Sequence, residues 1–361
     1  MQEQDIKLVL EDGTEFVGKS FGFNKSVAGE VVFNTSMTGY PENLSDPSYT
    51  GQILVATYPL IGNYGVPDEA RENGLLKYFE SEKMRISALV ISDYSFSYSH
   101  WNSNKSLATW LKENKIPGIY GIDTRELTKI IREKGAMLGK VICNNQDVDF
   151  YDPNSDNLTE RVAKPERTVY GNGKYKIVLV DCGVKNNIIR CLLKRDVTVI
   201  RVPASYDFTT EDYDGLFLSN GPGDPKKSEV TIENVSKAFE IGKPVMGICL
   251  GCQIMALASG ADTYKLKYGH RSHNQPVLKV GTNRCFITSQ NHGFAIDTKT
   301  LSAEWEPLFI NVNDNTCEGI RHKTKPFFAA QFHPEASSGP TDTEYLFDEF
   351  IALIEKSVPG S

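Results

Sequence analysis

From residue 174 onward the chain repeats a pattern that few folds can satisfy. Lys176-Ile-Val-Leu-Val-Asp181, Val197 to Val202, Gly215-Leu-Phe-Leu218 and Pro244-Val-Met-Gly-Ile248 are short, almost unbroken apolar runs. Between them lie stretches with helical spacing: Lys185 to Lys194, Val230 to Ile241, and a third that runs through Ala258. A strand that is apolar at consecutive positions has to be covered on both faces, and intervening helices supply that cover on a parallel sheet. A late strand, Phe327 to Phe332, and a closing helix, Asp342 to Glu355, complete the series. The expected class is α/β, an open, mostly parallel sheet flanked by helices.

The first 140 residues read differently. Ile6-Lys-Leu-Val-Leu10, Glu30-Val-Val-Phe33, Gln52-Ile-Leu-Val-Ala56 and Ser87-Ala-Leu-Val-Ile91 have strand composition and are broken by turn residues. Asp123-Thr-Arg-Glu126 is a capping-box start, with Leu127, Ile130 and Ile131 at helical spacing and Gly135 as the stop. This half is a mixed, strand-rich α+β domain without a catalytic constellation. Residues 144 to 173 are rich in Asp and Asn and keep no apolar register, so they read as a linker. The organisation expected is therefore 1–143, a 144–173 linker, and 174–361. A length of 361 residues agrees, since domains run to about 150 residues.

Charge narrows the partners. Thirty-nine Lys and Arg stand against 46 Asp and Glu, a net charge of −7. Nucleic acid and anionic membranes call for a concentrated basic surface, so neither is expected. No window approaches the roughly 18 apolar residues of a membrane span. The amino-terminal stretch MQEQDIKLVLEDGTEF has neither the basic and apolar regions of a signal peptide nor transit character. The cytoplasm is the expected location. Seven scattered cysteines fit free thiols in a reducing compartment.

The chemistry concentrates at Gly247-Ile248-Cys249-Leu250-Gly251, where the fourth strand turns into a helix. This is the spacing of a nucleophile elbow, in which a tight turn strains the central residue and flanking glycines remove clashing Cβ atoms. The helix amino terminus beneath the thiol favours thiolate and offers N–H groups to an oxyanion. A buried structural cysteine is the plain alternative. C-x-x-C redox chemistry through Cys252 is another, although the layout is not that of a thioredoxin and no second ligand pair makes a zinc motif.

A thiol nucleophile needs an oriented base. His333 follows the late strand and precedes Pro334-Glu335. In extended chain, residues i and i+2 face the same way, so Glu335 can hold one ring nitrogen while the other meets the thiol. His100, His270, His273, His292 and His322 have no such neighbour in sequence and read as surface or satisfied core groups. Ser219-Asn-Gly-Pro-Gly-Asp-Pro225 ends the third strand at the same sheet edge, as a plain turn or as a ligand loop offering the N–H groups of Gly221 and Gly223. The phosphate-binding pattern G-x-x-x-x-G-K-[ST] is absent, so no ATP site is expected in this chain.

Together, GICLGCQ at 247–253, FHPE at 332–335 and LSNGPGDP at 218–225 resemble the class I, triad-type glutamine amidotransferases. SQNHGFAID at 289–297 and DCGVKNNIIR at 181–190 are similar to the glutaminase domain of carbamoyl-phosphate synthetase small chains. GEVVFNTSMTGYPENLSDPSYTGQI at 29–53 and GIDTRELTKIIREKG at 121–135 resemble the amino-terminal domain of those chains alone. YGHRSHNQP at 268–276 looks closer to eukaryotic pyrimidine-pathway multienzymes, which begin with this pair of domains.

The resemblance implies hydrolysis of L-glutamine to glutamate and ammonia, and delivery of ammonia to a synthetase large chain or fused domain. That partner would make carbamoyl phosphate from bicarbonate with ATP and magnesium, leaving this chain without cofactor or metal in its site. By motif, Cys249 would be the nucleophile forming a γ-glutamyl thioester, His333 the base and acid, and Glu335 its orienter. Gly221 and Leu250 would form the oxyanion hole. Ser48, Gly221, Gly223, Leu250, Gln253, Asn291, Gly293 and Phe294 would hold glutamine. Cys252 stands where many relatives carry His, outside the triad, and is expected to tune packing or substrate contact. Two rival readings are a non-catalytic regulatory or interaction module and a thiol hydrolase of another amide.

Overall fold

A computed structural model describes residues 5–358, so the first four residues of the amino-terminal stretch read above lie outside the described range. The chain forms two compact units that divide between Pro153 and Asn154.

The amino-terminal unit is built on a closed barrel. Its strands run in the spatial order Asp5–Leu10, Met137–Cys143, Val27–Asn34, Gln52–Ala56, Ala88–Val90, Gly118–Tyr120 and Glu15–Ser20. Val31, Val32, Ile53, Leu54, Val55 and Leu89 are buried in its middle strands. The helix Thr124–Lys134 starts as the sequence predicts: the Asp123 side chain accepts from the Glu126 N–H at 2.9 Å. Leu127 and Ile131 are buried, while Ile130 is half-buried. Closure of the barrel was not expected, because the sealing strands Glu15–Ser20 and Met137–Cys143 interleave Lys, Glu and Gly with their apolar residues.

The carboxy-terminal unit holds a ten-stranded sheet. Five strands make the expected parallel core, in the order Val197–Pro203, Tyr175–Asp181, Gly215–Leu218, Val245–Ile248 and Phe327–Ala330. The rest is a correction to "mostly parallel". Cys317–His322, Trp305–Asn311, Asp262–Lys279 and Cys285–Asp297 extend one edge with antiparallel pairing. Register shifts inside Asp262–Lys279 explain why it was not foreseen: each slip resets the alternation of faces. The helices Asn186–Leu193, Glu229–Ile241, Leu250–Ala258 and Tyr345–Ser357 fall where helical spacing placed them.

The segment 144–173, read as a linker, is partly built into this unit. Leu158–Val162 is a short helix with Leu158 and Val162 buried, and Thr168–Tyr170 pairs antiparallel with Val197–Pro203. A few apolar anchors in a polar stretch suffice to dock it, which composition averaged over the window conceals.

The core beneath the site is continuous. Val178, Leu216, Leu218, Val245, Phe327 and Ala329 from the sheet pack with Ile254, Met255 and Ala256 from the helix Leu250–Ala258. Each of the Val, Leu, Ile, Met and Phe side chains among them contributes about 1.5–3 kcal/mol when fully buried. That helix is covered on nearly every side, Leu250 to Ala256 all being buried, so its first turn is held rigidly.

Candidate active site

The parallel sheet decides which residues meet. Val245–Ile248 and Phe327–Ala330 are neighbours, with Ile248 opposite Ala330. Cys249 follows one strand and His333 the other, so both emerge at the same carboxyl edge. The Cys249 N–H donates to the Ala330 carbonyl at 2.8 Å, clamping the turn to the neighbouring strand. His333 is fixed in its turn by its N–H, which donates to the Ser289 carbonyl at 2.9 Å.

Cys249 sits at φ 53° and ψ −104°, a conformation that costs a non-glycine residue on the order of 1–3 kcal/mol. The sharp turn needs bare neighbours. A Cβ on Gly251 would lie 2.4 Å from the Leu218 carbonyl oxygen, and one on Gly221 would lie 2.1 Å from the Cys182 oxygen and 2.7 Å from Leu250 Cδ2. The second fact also brings the two expected oxyanion donors, Gly221 and Leu250, side by side. Leu250 opens the helix, so its N–H has no acceptor within the helix.

His333 Nδ1 and Glu335 Oε1 are 2.7 Å apart, and both residues are buried. The chain is not extended here: the Ala336 N–H donates to the His333 carbonyl at 3.1 Å, so a turn, in place of the expected extended i and i+2 geometry, brings the two side chains together. His333 Nε2 is buried without a hydrogen-bond partner. Burial opposes charge on the imidazole, but the Glu335 carboxylate and the Cys249 thiol outweigh it and raise its pKa to about 10. Burial likewise opposes charge on Glu335, yet Lys185 and His333 draw its pKa down to about 2. The Cys249 sulfur lies 3.7 Å from the Asn291 carbonyl oxygen. Cys252, fully buried in the core cluster, has its thiol pKa pushed well up by burial, so it packs rather than reacts.

Lys185 was not singled out in the sequence. Its ammonium lies 3.1 Å from Glu335 Oε1 and donates to the Ala336 carbonyl at 2.6 Å, with only 4% of the residue exposed. The loop that carries it is itself fixed. Asp181 Oδ1 accepts from the Gly183 and Val184 N–H groups at 2.9 Å each, and Arg201 pairs with the same carboxylate. The Asn220 side chain accepts from the Lys185 N–H at 3.0 Å. Asn187 Nδ2 donates to the Glu335 carbonyl. The signal was present in Asp181-Cys-Gly-Val-Lys185, but the charged partner lies 150 residues away.

The remaining predicted residues divide between the units. Gln253 Nε2 donates to the Phe294 carbonyl at 2.9 Å and to Gln331 Oε1 at 3.1 Å. Asn291, Gly293 and Phe294 lie on the strand Cys285–Asp297, and buried Arg271 is the register partner of Asn291. Gly293 is close to that guanidinium: an added Cβ would sit 3.2 Å from Arg271 Nη2. Gly223 takes φ 86° in the loop after Gly215–Leu218. Ser48 belongs to the amino-terminal unit, in the short turn Pro47–Tyr49, where its N–H donates to Asp46 Oδ1 at 2.9 Å.

A strained cysteine on a strand-to-helix turn, beside a buried His–Glu pair at a parallel sheet's carboxyl edge, defines the class I amidotransferase arrangement. Residues 178–353 match the family model "Glutamine amidotransferase class-I", and residues 8–141 match "Carbamoyl-phosphate synthase small chain, CPSase domain". The chain thus carries a carbamoyl-phosphate synthase small-chain domain followed by a class I glutamine amidotransferase domain.

Relatives agree along nearly the whole chain. The mitochondrial "Carbamoyl-phosphate synthase [ammonia]" of Homo sapiens is 54% identical over 361 residues, covering 99% of this chain and 24% of that protein. "Multifunctional protein CAD" of Squalus acanthias is 54% identical over 351 residues, covering 95% and 16%. "Multifunctional protein URA2" of Saccharomyces cerevisiae is 47% identical over 388 residues, covering 97% and 18%. The chain thus spans a quarter or less of each relative's length. No helix among the described residues is long and apolar enough to cross a membrane.

Proposed function

We propose that the carboxy-terminal unit hydrolyses the side-chain amide of L-glutamine and that the ammonia feeds a carbamoyl-phosphate-forming synthetase. With the shared proton already on His333 Nε2, as its raised pKa requires at neutral pH, Cys249 Sγ attacks the amide carbon. The oxyanion that forms is held by the N–H groups of Gly221 and Leu250. His333 returns the proton to the departing nitrogen, ammonia leaves, and a γ-glutamyl thioester remains on Cys249. Water, losing a proton to His333, then attacks the thioester and releases glutamate with the thiol restored. Glu335 keeps the imidazole in the required tautomer and offsets its positive charge, and Lys185 holds Glu335 ionised.

The observation that carries this reading is the strained Cys249 turn clamped to the strand that delivers His333 and Glu335. Gly221, Gly223, Leu250, Gln253, Asn291, Gly293 and Phe294 offer the backbone donors and polar side chains that a zwitterionic amino acid needs; a role for Ser48 is implied by the resemblance alone. The reaction uses no cofactor of this chain. ATP and magnesium belong to the synthetase partner, as a separate large chain or a fused domain. A cytoplasmic location is part of the reading and rests on the free-thiol pattern of the cysteines; the human relative's name puts that protein in mitochondria.

The word "ammonia" in that name supports a second reading, a module that docks a synthetase without hydrolysing glutamine. The experiment that separates the two is ammonia release from glutamine by the purified chain, alone and with its synthetase, with Cys249→Ser in parallel. Release by the wild type that disappears in Cys249→Ser supports the amidotransferase. Absence of release in both settings supports the docking module, and release from other amides as fast as from glutamine supports a broader thiol hydrolase.

A further inference from the structure

Three antiparallel strands bring together polar groups that the triad does not use. His270 on Asp262–Lys279 and His292 on Cys285–Asp297 are register partners, and Glu318 on Cys317–His322 meets both. All three are buried. His270 Nδ1 lies 3.3 Å from Glu318 Oε1, and His292 Nε2 lies 3.7 Å from the same oxygen. One ligand atom from each residue falls within 4.8 Å of the other two.

The outward nitrogens are already occupied. His270 Nε2 is 2.8 Å from Asp314 Oδ2, and His292 Nδ1 is 2.9 Å from the Phe294 carbonyl oxygen. A carboxylate and a carbonyl can only accept, so each takes a ring N–H. In the neutral rings, the inward nitrogens then present lone pairs to the Glu318 carboxylate. Gln290 Oε1, 3.2 Å from His292 Nε2, adds an electron-rich oxygen on the same side. Glu318 Oε2 is buried and has no hydrogen-bond partner. Asn311 Nδ2, 3.5 Å from both His270 Nδ1 and Glu318 Oε1, and Thr316 Oγ1, 3.4 Å from Glu318 Oε1, are long contacts that offset little of the repulsion among these lone pairs, which positive charge in their midst would relieve.

A proton on His270 relieves only one edge of this triangle. His292 would still face Glu318 with a lone pair. A divalent ion satisfies every edge at once. We propose that His270, His292 and Glu318 form a binding site for a zinc-class divalent transition ion. Zinc takes imidazole nitrogen and carboxylate oxygen at about 2.0–2.2 Å, which puts tetrahedral ligand atoms roughly 3.3–3.5 Å from one another. Two imidazoles in the set favour zinc over calcium or magnesium, which prefer all-oxygen surroundings. The Asp314 and Phe294 contacts are the outer hydrogen bonds that orient metal-bound histidines. Gln290 Oε1 stands where a fourth ligand would approach. The ion would tie together three strands, one of which carries Asn291, Gly293 and Phe294. The site stands independently of the function proposed above.

The test uses the full chain, stripped with chelator and titrated with zinc by calorimetry, followed by metal analysis after gel filtration. One equivalent of zinc is expected, together with a zinc-dependent rise in Tm. Cobalt in its place should give a visible spectrum without a thiolate charge-transfer band. His270→Ala and Glu318→Gln should weaken zinc by more than about 100-fold, and Asp314→Asn by about 10–100-fold. Cys249→Ser should bind zinc like the wild type. Wild type without stoichiometric zinc would leave a protonated His270 as the whole content of the cluster and overturn the proposal. So would zinc that is lost in Cys249→Ser, which would place the ion on the catalytic thiol. Asp314, nearly half exposed in its side chain, decides the matter if the buried variants fail to fold: unchanged zinc affinity in Asp314→Asn would contradict the site.

Discussion

Lys185, Glu335 and His333 form a buried line of alternating charge that ends at the thiol. Removing a member leaves an uncompensated buried charge, which costs about 3–5 kcal/mol for a buried pair. Lys185→Met should therefore lower unfolding stability by that order in urea titration at neutral pH; a loss under about 0.5 kcal/mol would contradict the account. The effect has a defined pH sense. Glu335 is held ionised down to about 2, below its unfolded value, so its contribution is full above the ordinary Glu range and fades as pH falls towards 2. Without Lys185 that carboxylate protonates earlier, and the acid-unfolding midpoint should move to higher pH. His333 has the opposite sense, because its pKa is raised to about 10: its contribution is full below about pH 6.5 and is lost as pH rises through 10. Glu335→Gln should bring the His333 titration, followed by NMR, back down, and should lower kcat/KM for glutamine by roughly 10²–10⁴-fold. An unshifted imidazole would mean that the carboxylate does not act on it.

The turn and the strands around it carry the geometry. Gly251 touches the Leu218 carbonyl so closely that any Cβ forces the helix away from the sheet. Overpacking of this kind costs about 1–3 kcal/mol, so Gly251→Ala should lower Tm and slow glutamine hydrolysis together; wild-type values for both would contradict the packing argument. The elbow and the His-Pro-Glu step were legible in the sequence because their partners are local: a turn residue between glycines, and two side chains two residues apart. Lys185 and the His270–His292–Glu318 cluster were not. His270 meets Glu318 across 48 residues and Asp314 across 44, and no local spacing encodes such a meeting. The same limit hid the antiparallel half of the large sheet. Apolar runs buried on both faces announce parallel strands, whereas polar strands interrupted by bulges, such as Asp262–Lys279, give no steady period. In the barrel, Gln52–Ala56 matched residue for residue, while the strands that close it carry too many charged and glycine positions to read as strands.

At the scale of the molecule, two units carry two kinds of surface. The unit from Asn154 onward contains a complete Cys–His–Glu arrangement; the unit ending at Pro153 contains a barrel and the small-chain domain match, without a catalytic constellation among its described residues. The net charge of −7 suits an enzyme of small zwitterions better than a binder of nucleic acid. Covering a quarter or less of each relative, the chain corresponds to the region of those longer proteins that matches the small chain. The account's central claim is that the strained Cys249 carries a γ-glutamyl group during turnover. Mass spectrometry of peptides from the acid-quenched, glutamine-saturated chain tests it directly. The account predicts a glutamyl adduct on the Cys249 peptide, absent from Cys249→Ser and accumulating further when His333 is replaced by Asn only if acylation outpaces hydrolysis. Ammonia released at the wild-type rate by Cys249→Ser, or an adduct on any of the other six cysteines in place of Cys249, would contradict it.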